Sequence, residues 1–130
     1  MCWTFFIFAW CSCIQQVLMQ TASWDLVTSP VVFGKPVELR CTVGGIAACC
    51  SQFTRIWRKG STNILINGVP RLPSKYNETI VAANKQFSLI INDLSKEDVD
   101  VAYTCAYGNI SPKKTLTQND SFECKYNMFY

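Results

Sequence analysis

Hydrophobic and polar side chains alternate with a period of two in three stretches of the chain. Val37, Leu39, Cys41 and Val43 are separated by Glu38, Arg40 and Thr42. Phe87, Leu89 and Ile91 alternate around Ser88 and Ile90, and Val101, Tyr103, Cys105 and Tyr107 form a third set. Successive side chains of a strand point to opposite faces, so each stretch predicts a strand with one buried face. Shorter strands are expected at 25–28, 31–33, 54–59, 63–66, 78–82 and 114–118. Turn formers stand between them: Pro30, Gly34-Lys35-Pro36, Gly44-Gly45, Gly60, Asn67-Gly68, Asn84 and Gly108-Asn109. Asn92-Asp93 turns the chain so that Leu94 points back inward, and 95–98 is expected to make one helical turn. Many short strands without a competing helix predict an all-β antiparallel sandwich or barrel.

The first 24 residues carry no charge; Asp25 is the first charged residue. Trp3 to Trp10 is almost wholly aromatic or aliphatic, and the apolar region ends in the small residues Thr21-Ala22-Ser23. That is the layout of a secretory leader cut after Ala22 or Ser23, although its start lacks the usual Lys or Arg. Gln15-Gln16 interrupts the run below the ~20 apolar residues a membrane span needs, which favours cleavage over anchoring. The expected organisation is a signal peptide over 1–23, one domain over 24–118 and a tail over 119–130. Three Asn-x-Ser/Thr tripeptides, at Asn77, Asn109 and Asn119, agree with export and are expected glycosylation sites. Pro112 after the second makes Asn109 the least favoured.

Composition narrows the chemistry. Among 130 residues there are 8 cysteines and no histidine, and 12 basic side chains face 9 acidic ones. So mild a charge, with no basic run, gives no reason to expect a nucleic-acid partner. Without histidine the usual general base is missing, and a Ser–His–Asp triad is impossible. Glu97, Asp98 and Asp100 are close in sequence, but charged residues at a turn facing water account for them better than a glycosidase pair. No enzyme activity and no cofactor is expected. A zinc site is disfavoured too, since there is neither histidine nor a Cys-x-x-Cys pair.

Cys41 closes one alternating strand, Trp57 falls on the next, and Cys105 follows Cys41 by 64 positions. Tyr103 stands two residues before Cys105, and Leu89-x-Ile91-x-x-Leu94 precedes both. This set resembles the immunoglobulin superfamily, as a single V-set- or I-set-like domain covering residues 24 to 118. The resemblance implies a two-sheet antiparallel Greek-key sandwich with a Cys41–Cys105 disulfide between the sheets. It also implies Trp57 packed on that bridge, a core containing Leu89 and Ile91, and Tyr103 pinning the preceding turn. Two positions depart from the family's pattern. Val99 occupies the usual site of an Asp, which puts its clasp to Arg71 or Lys75 in question. Arg55 falls on an inward position, so either a bulge shifts the frame or the side chain snorkels at the rim.

If Cys41 pairs with Cys105, then Cys49, Cys50 and Cys124 remain. Three thiols cannot all pair within one chain. Cys124 is open to an internal bridge, to a disulfide-linked dimer or mixed partner, or to a free state. A bridge between the neighbours Cys49 and Cys50 is expected to be strained.

Such domains commonly recognise proteins, and fold-level analogy is the warrant for expecting this of the chain. The resemblance implies a secreted, non-catalytic binding module whose partner is an extracellular or cell-surface protein, in immune recognition or modulation. A cell-surface receptor or adhesion ectodomain, truncated or tethered, is the alternative, and a secreted inhibitor or small enzyme is the least favoured reading. The candidate binding face comprises Ile56, Arg58 and Ala106, with Ile64, Leu65 and Ile66 alongside. The loop end at 46–50 and 109–113 is the second candidate.

Overall fold

The computed structural model describes residues 20–46 and 48–118. Most of the expected leader, Cys124, Asn119 and the tail lie outside the described residues. The chain forms β1 (Thr21–Leu26), β2 (Val37–Gly44), β3 (Arg55–Lys59), β4 (Thr62–Ile66), β5 (Val69–Pro70), β6 (Tyr76–Val81), β7 (Gln86–Ile91), β8 (Val101–Tyr107) and β9 (Lys113–Leu116). Single 3-10 turns cover Ala82–Asn84 and Lys96–Asp98, the second at the predicted helical turn.

The strands make two antiparallel sheets, ordered β1-β2-β7-β6 and β5-β4-β3-β8-β9. Their inner faces meet as a sandwich. Leu39, Cys41, Phe87, Leu89 and Ile91 of the four-stranded sheet are buried with Trp57, Leu65, Tyr103, Cys105 and Leu116 of the five-stranded one. The all-β two-sheet expectation is met, and β2 follows its period-two pattern over its whole length.

Local chemistry explains most boundaries. Pro36 cannot donate to a ladder, so β2 starts directly after it. Asn67 and Gly68 both take positive φ (47° and 82°) in the two-residue connection that pairs Ile66 with Val69. That is the backbone a tight hairpin demands, and Asn-Gly is the pair that adopts it most readily. The strand expected at 31–33 does not form. Val31 is buried and bridged, but the chain then turns through Gly34, whose N–H donates to the Leu94 carbonyl at 2.8 Å. β1 begins at Thr21, three residues ahead of the expected domain start, and pairs Thr21 with Gly44 and Ser23 with Thr42.

A buried polar knot holds the turn before β8. Tyr103 donates its hydroxyl to the Asp98 carbonyl at 2.7 Å. The Asp98 carboxylate accepts from Lys75 at 2.7 Å and Lys59 at 3.0 Å, and from the backbone N–H of Ser95 at 2.9 Å. The clasp therefore forms one position ahead of Val99, with Lys75 rather than Arg71. Burial pushes the Asp98 carboxyl up, but the bonds from Lys75, Ser95 and Lys59 outweigh it and hold the group below the usual carboxylate range. A depressed native value means stability that is complete above the unfolded carboxylate range and is lost as pH falls through the native value. Urea unfolding between pH 7 and pH 2.5 is expected to show that loss setting in below about pH 4. Asp98→Asn should start less stable at pH 7 and lose less on acidification; an identical acid profile in the variant would contradict this.

Candidate protein-binding face

The scaffold beneath the face is covalent and aromatic. Cys41 on β2 and Cys105 on β8 form a disulfide between the sheets. Trp57 stands opposite Cys105 in the β3–β8 ladder and is fully buried, its ring edge-on to Trp24 at 6.4 Å and to Phe87 at 6.2 Å. Trp24 reaches across from β1 and donates its indole N–H to the Tyr103 carbonyl at 2.9 Å. Lys114 lies over its ring at 4.8 Å. These contacts fix β3 and β8 relative to the other sheet, and so fix whatever they present outward.

Register assigns the outward positions of the five-stranded sheet. One row runs Val69, Ile66, Ile56, Ala106; the next runs Asn63, Arg58, Thr104, Lys113. Ile66 and Val69 are exposed, at 41% and 69%, while Ile56 is half-buried between its neighbours. Arg58 donates to the Asn63 side chain at 2.8 Å, which holds its guanidinium flat along the sheet. Thr104 and Ala106 point outward but are buried, because small side chains on a central strand are covered by the longer ones flanking them.

Three of the expected face residues therefore do not offer surface. Ala106 is covered, and Ile64 and Leu65 are core. The reason for the last two is a register shift between Trp57 and Arg58, where β4 carries one extra residue. A bulge lets two consecutive side chains avoid the alternating pattern, so Ile64 and Leu65 are both buried and Ile66 alone emerges. Val69 and Arg71 were not among the expected face residues; a strand returning from the Asn67-Gly68 turn is the signal that would have placed Val69 beside Ile66. An open depression between Asn63, Ile66, Val69 and Arg71 adjoins the apolar row.

Arg55 takes neither of the two expected courses. It points inward at the loop end and is buried, bonding Glu78 on β6 through both carboxylate oxygens at 2.9 Å. It also donates to the Cys50 carbonyl. A charge is tolerated inside because its partner is bidentate and its remaining donor is used. Cys49 and Cys50 meet sulfur to sulfur as a bridge between neighbours at the same end.

The two described sequons are exposed. Asn77 projects from the outer face of the four-stranded sheet, and Asn109 sits in the β8–β9 connection. Asp98 is committed to the knot described above, and among the described residues no cluster of three or more His, Cys, Asp or Glu could hold a metal ion. No family model and no curated protein matches the chain.

Proposed function

We propose that the chain is a secreted, immunoglobulin-like, non-catalytic protein-binding module, and that it binds through the outward face of the five-stranded sheet. The exposed pair Ile66 and Val69 on a firmly braced sheet carries this reading. An apolar surface is retained against the cost of hydrating it where a partner covers it. The strand order, the inter-sheet disulfide with Trp57 beside it and the Tyr103 hydroxyl on the preceding turn support the family resemblance. The charge-free start of the sequence supports export, and immune recognition is the role that such small exported domains commonly serve.

The test is expression of the full sequence in a secretory cell line, with non-reducing gels and intact mass on the medium. A bivalent fusion of the secreted product is then applied to an array of purified extracellular domains. The product should reach the medium, and Ile66→Asp should reduce array binding at least about tenfold, the effect of losing a central apolar anchor, with folding unchanged by circular dichroism. Retention in the cell, or array binding indifferent to Ile66→Asp and Val69→Asp, would remove the basis of the proposal.

A further inference from the structure

Charge is divided unequally between the two sheets. Of nine carboxylates in the sequence, the described residues hold seven: Asp25, Glu38 and Glu78 on the four-stranded sheet, and Asp93, Glu97, Asp98 and Asp100 in the connection from β7 to β8. None stands on β3, β4, β5, β8 or β9. Those strands carry Arg55, Arg58, Lys59, Lys113 and Lys114, and Arg71 follows β5 directly. Three of these bases are bound to carboxylates elsewhere: Arg55 to Glu78, Lys59 to Asp98 and Lys114 to Asp25. Arg58, Arg71 and Lys113 make no ion pair among the described residues.

The three unpaired cations border the apolar row. Arg58 and Lys113 both pair with Thr104, on either side of it. Strands are spaced by ~4.8 Å, which sets their backbones about 10 Å apart. The Ala106–Ile56–Ile66–Val69 row lies one repeat along the same face, and Arg71 lines the depression beside Ile66 and Val69. A second copy of this face would bring like charges together around the shared apolar row, which opposes pairing of the chain with itself. A polyanion would satisfy the cations and leave the apolar row wet.

We infer that the partner is a different protein, presenting a solvent-exposed apolar side chain ringed by Asp and Glu carboxylates. The apolar group seats against Ile66 and Val69, and the carboxylates meet Arg58, Lys113 and Arg71. Binding is thus heterophilic and speeds up as salt is lowered, since exposed charges act mainly on encounter and are screened beyond about 10 Å at 0.1 M. This inference rests on the binding-module proposal and adds the chemistry of the partner.

The experiment probes the extracellular-domain array with bivalent wild type, Arg58→Glu/Lys113→Glu, the tail variant Asp120→Lys/Glu123→Lys and, as a control on the other sheet, Arg40→Glu. Sedimentation of each protein alone, and binding to heparin beads and phosphatidylserine vesicles, run in parallel. The expected result is at least one array protein whose signal falls tenfold or more with Arg58→Glu/Lys113→Glu and with a rise from 50 to 300 mM NaCl. Arg40→Glu should leave it unchanged, and a charge-restoring pair of substitutions on the array protein should recover it. Array hits that ignore the charge reversal overturn the partner chemistry while leaving the binding module standing; an array on which none of the four proteins finds a hit overturns both. Salt-sensitive self-association of wild type makes a second copy the occupant. Capture by heparin or vesicles without an array hit makes it a polyanion. Hits that appear only in Asp120→Lys/Glu123→Lys assign the face to the chain's own tail. Each of these three overturns the inference.

Discussion

Glu78→Ala should lower the stability of the protein by about 3–5 kcal/mol, the cost of breaking a buried ion pair from one side. The expectation follows from where the pair sits. The Arg55 and Glu78 side chains are only 10% and 5% exposed, and they join β3 of one sheet to β6 of the other. Alanine at 78 removes both acceptors at once. The guanidinium then keeps the Cys50 carbonyl as its remaining described partner and loses the neutralising charge. Replacing both partners gives the opposite expectation. Arg55→Leu/Glu78→Leu leaves no uncompensated charge, and such apolar substitutions are often neutral or better, so the pair should lie within about 1–2 kcal/mol of wild type. Urea denaturation of the three proteins at pH 7 is the measurement. A Glu78→Ala cost under about 1 kcal/mol would mean that water reaches Arg55 and that the loop end is open.

Cys41→Ala/Cys105→Ala is the other substitution of large effect, expected to cost about 4 kcal/mol. The bridge joins residues 64 apart, so in the reduced unfolded chain a long loop is free to expand. Both cysteines are fully buried, which adds the loss of sulfur packing beside Trp57 and Phe87. The signature separates the two contributions. A freer unfolded state exposes more surface, so the slope of free energy against urea should rise as the midpoint falls. A lower midpoint with an unchanged slope would assign the whole effect to packing in the folded state.

The sequence disclosed this fold wherever the governing interactions are local and periodic. β2 and the inner residues of β7 and β8 followed from alternation alone, because a half-buried strand writes its burial directly into its residue order. The binding face was only partly legible. Ile56, Arg58 and Ile66 stand on it, but the extra residue in β4 turned Ile64 inward beside Leu65, and no pattern within β4 marks that shift. The inward position of Arg55 was legible, but its partner was not. Its inward position makes sense only with Glu78, which lies 23 residues further on and in the other sheet. Lys59 and Lys75 meeting on Asp98 is likewise a product of tertiary contact. β5 is two residues long and includes a proline, too little to register as a strand except through the Asn67-Gly68 turn before it.

The placement of Trp24 and Trp57 also gives the protein an optical signature. Two buried indoles meet edge-on at 6.4 Å in a rigid, chiral setting, one of them opposite a disulfide in the ladder. Near-ultraviolet circular dichroism should therefore report tertiary packing directly, and its loss before the far-ultraviolet signal would mark a loosened core. The disulfide beside Trp57 should quench its emission in the folded state. Unfolding with the bridge reduced is then expected to brighten and red-shift the fluorescence together, whereas unfolding with the bridge intact, or without its two cysteines, should be read from the red shift.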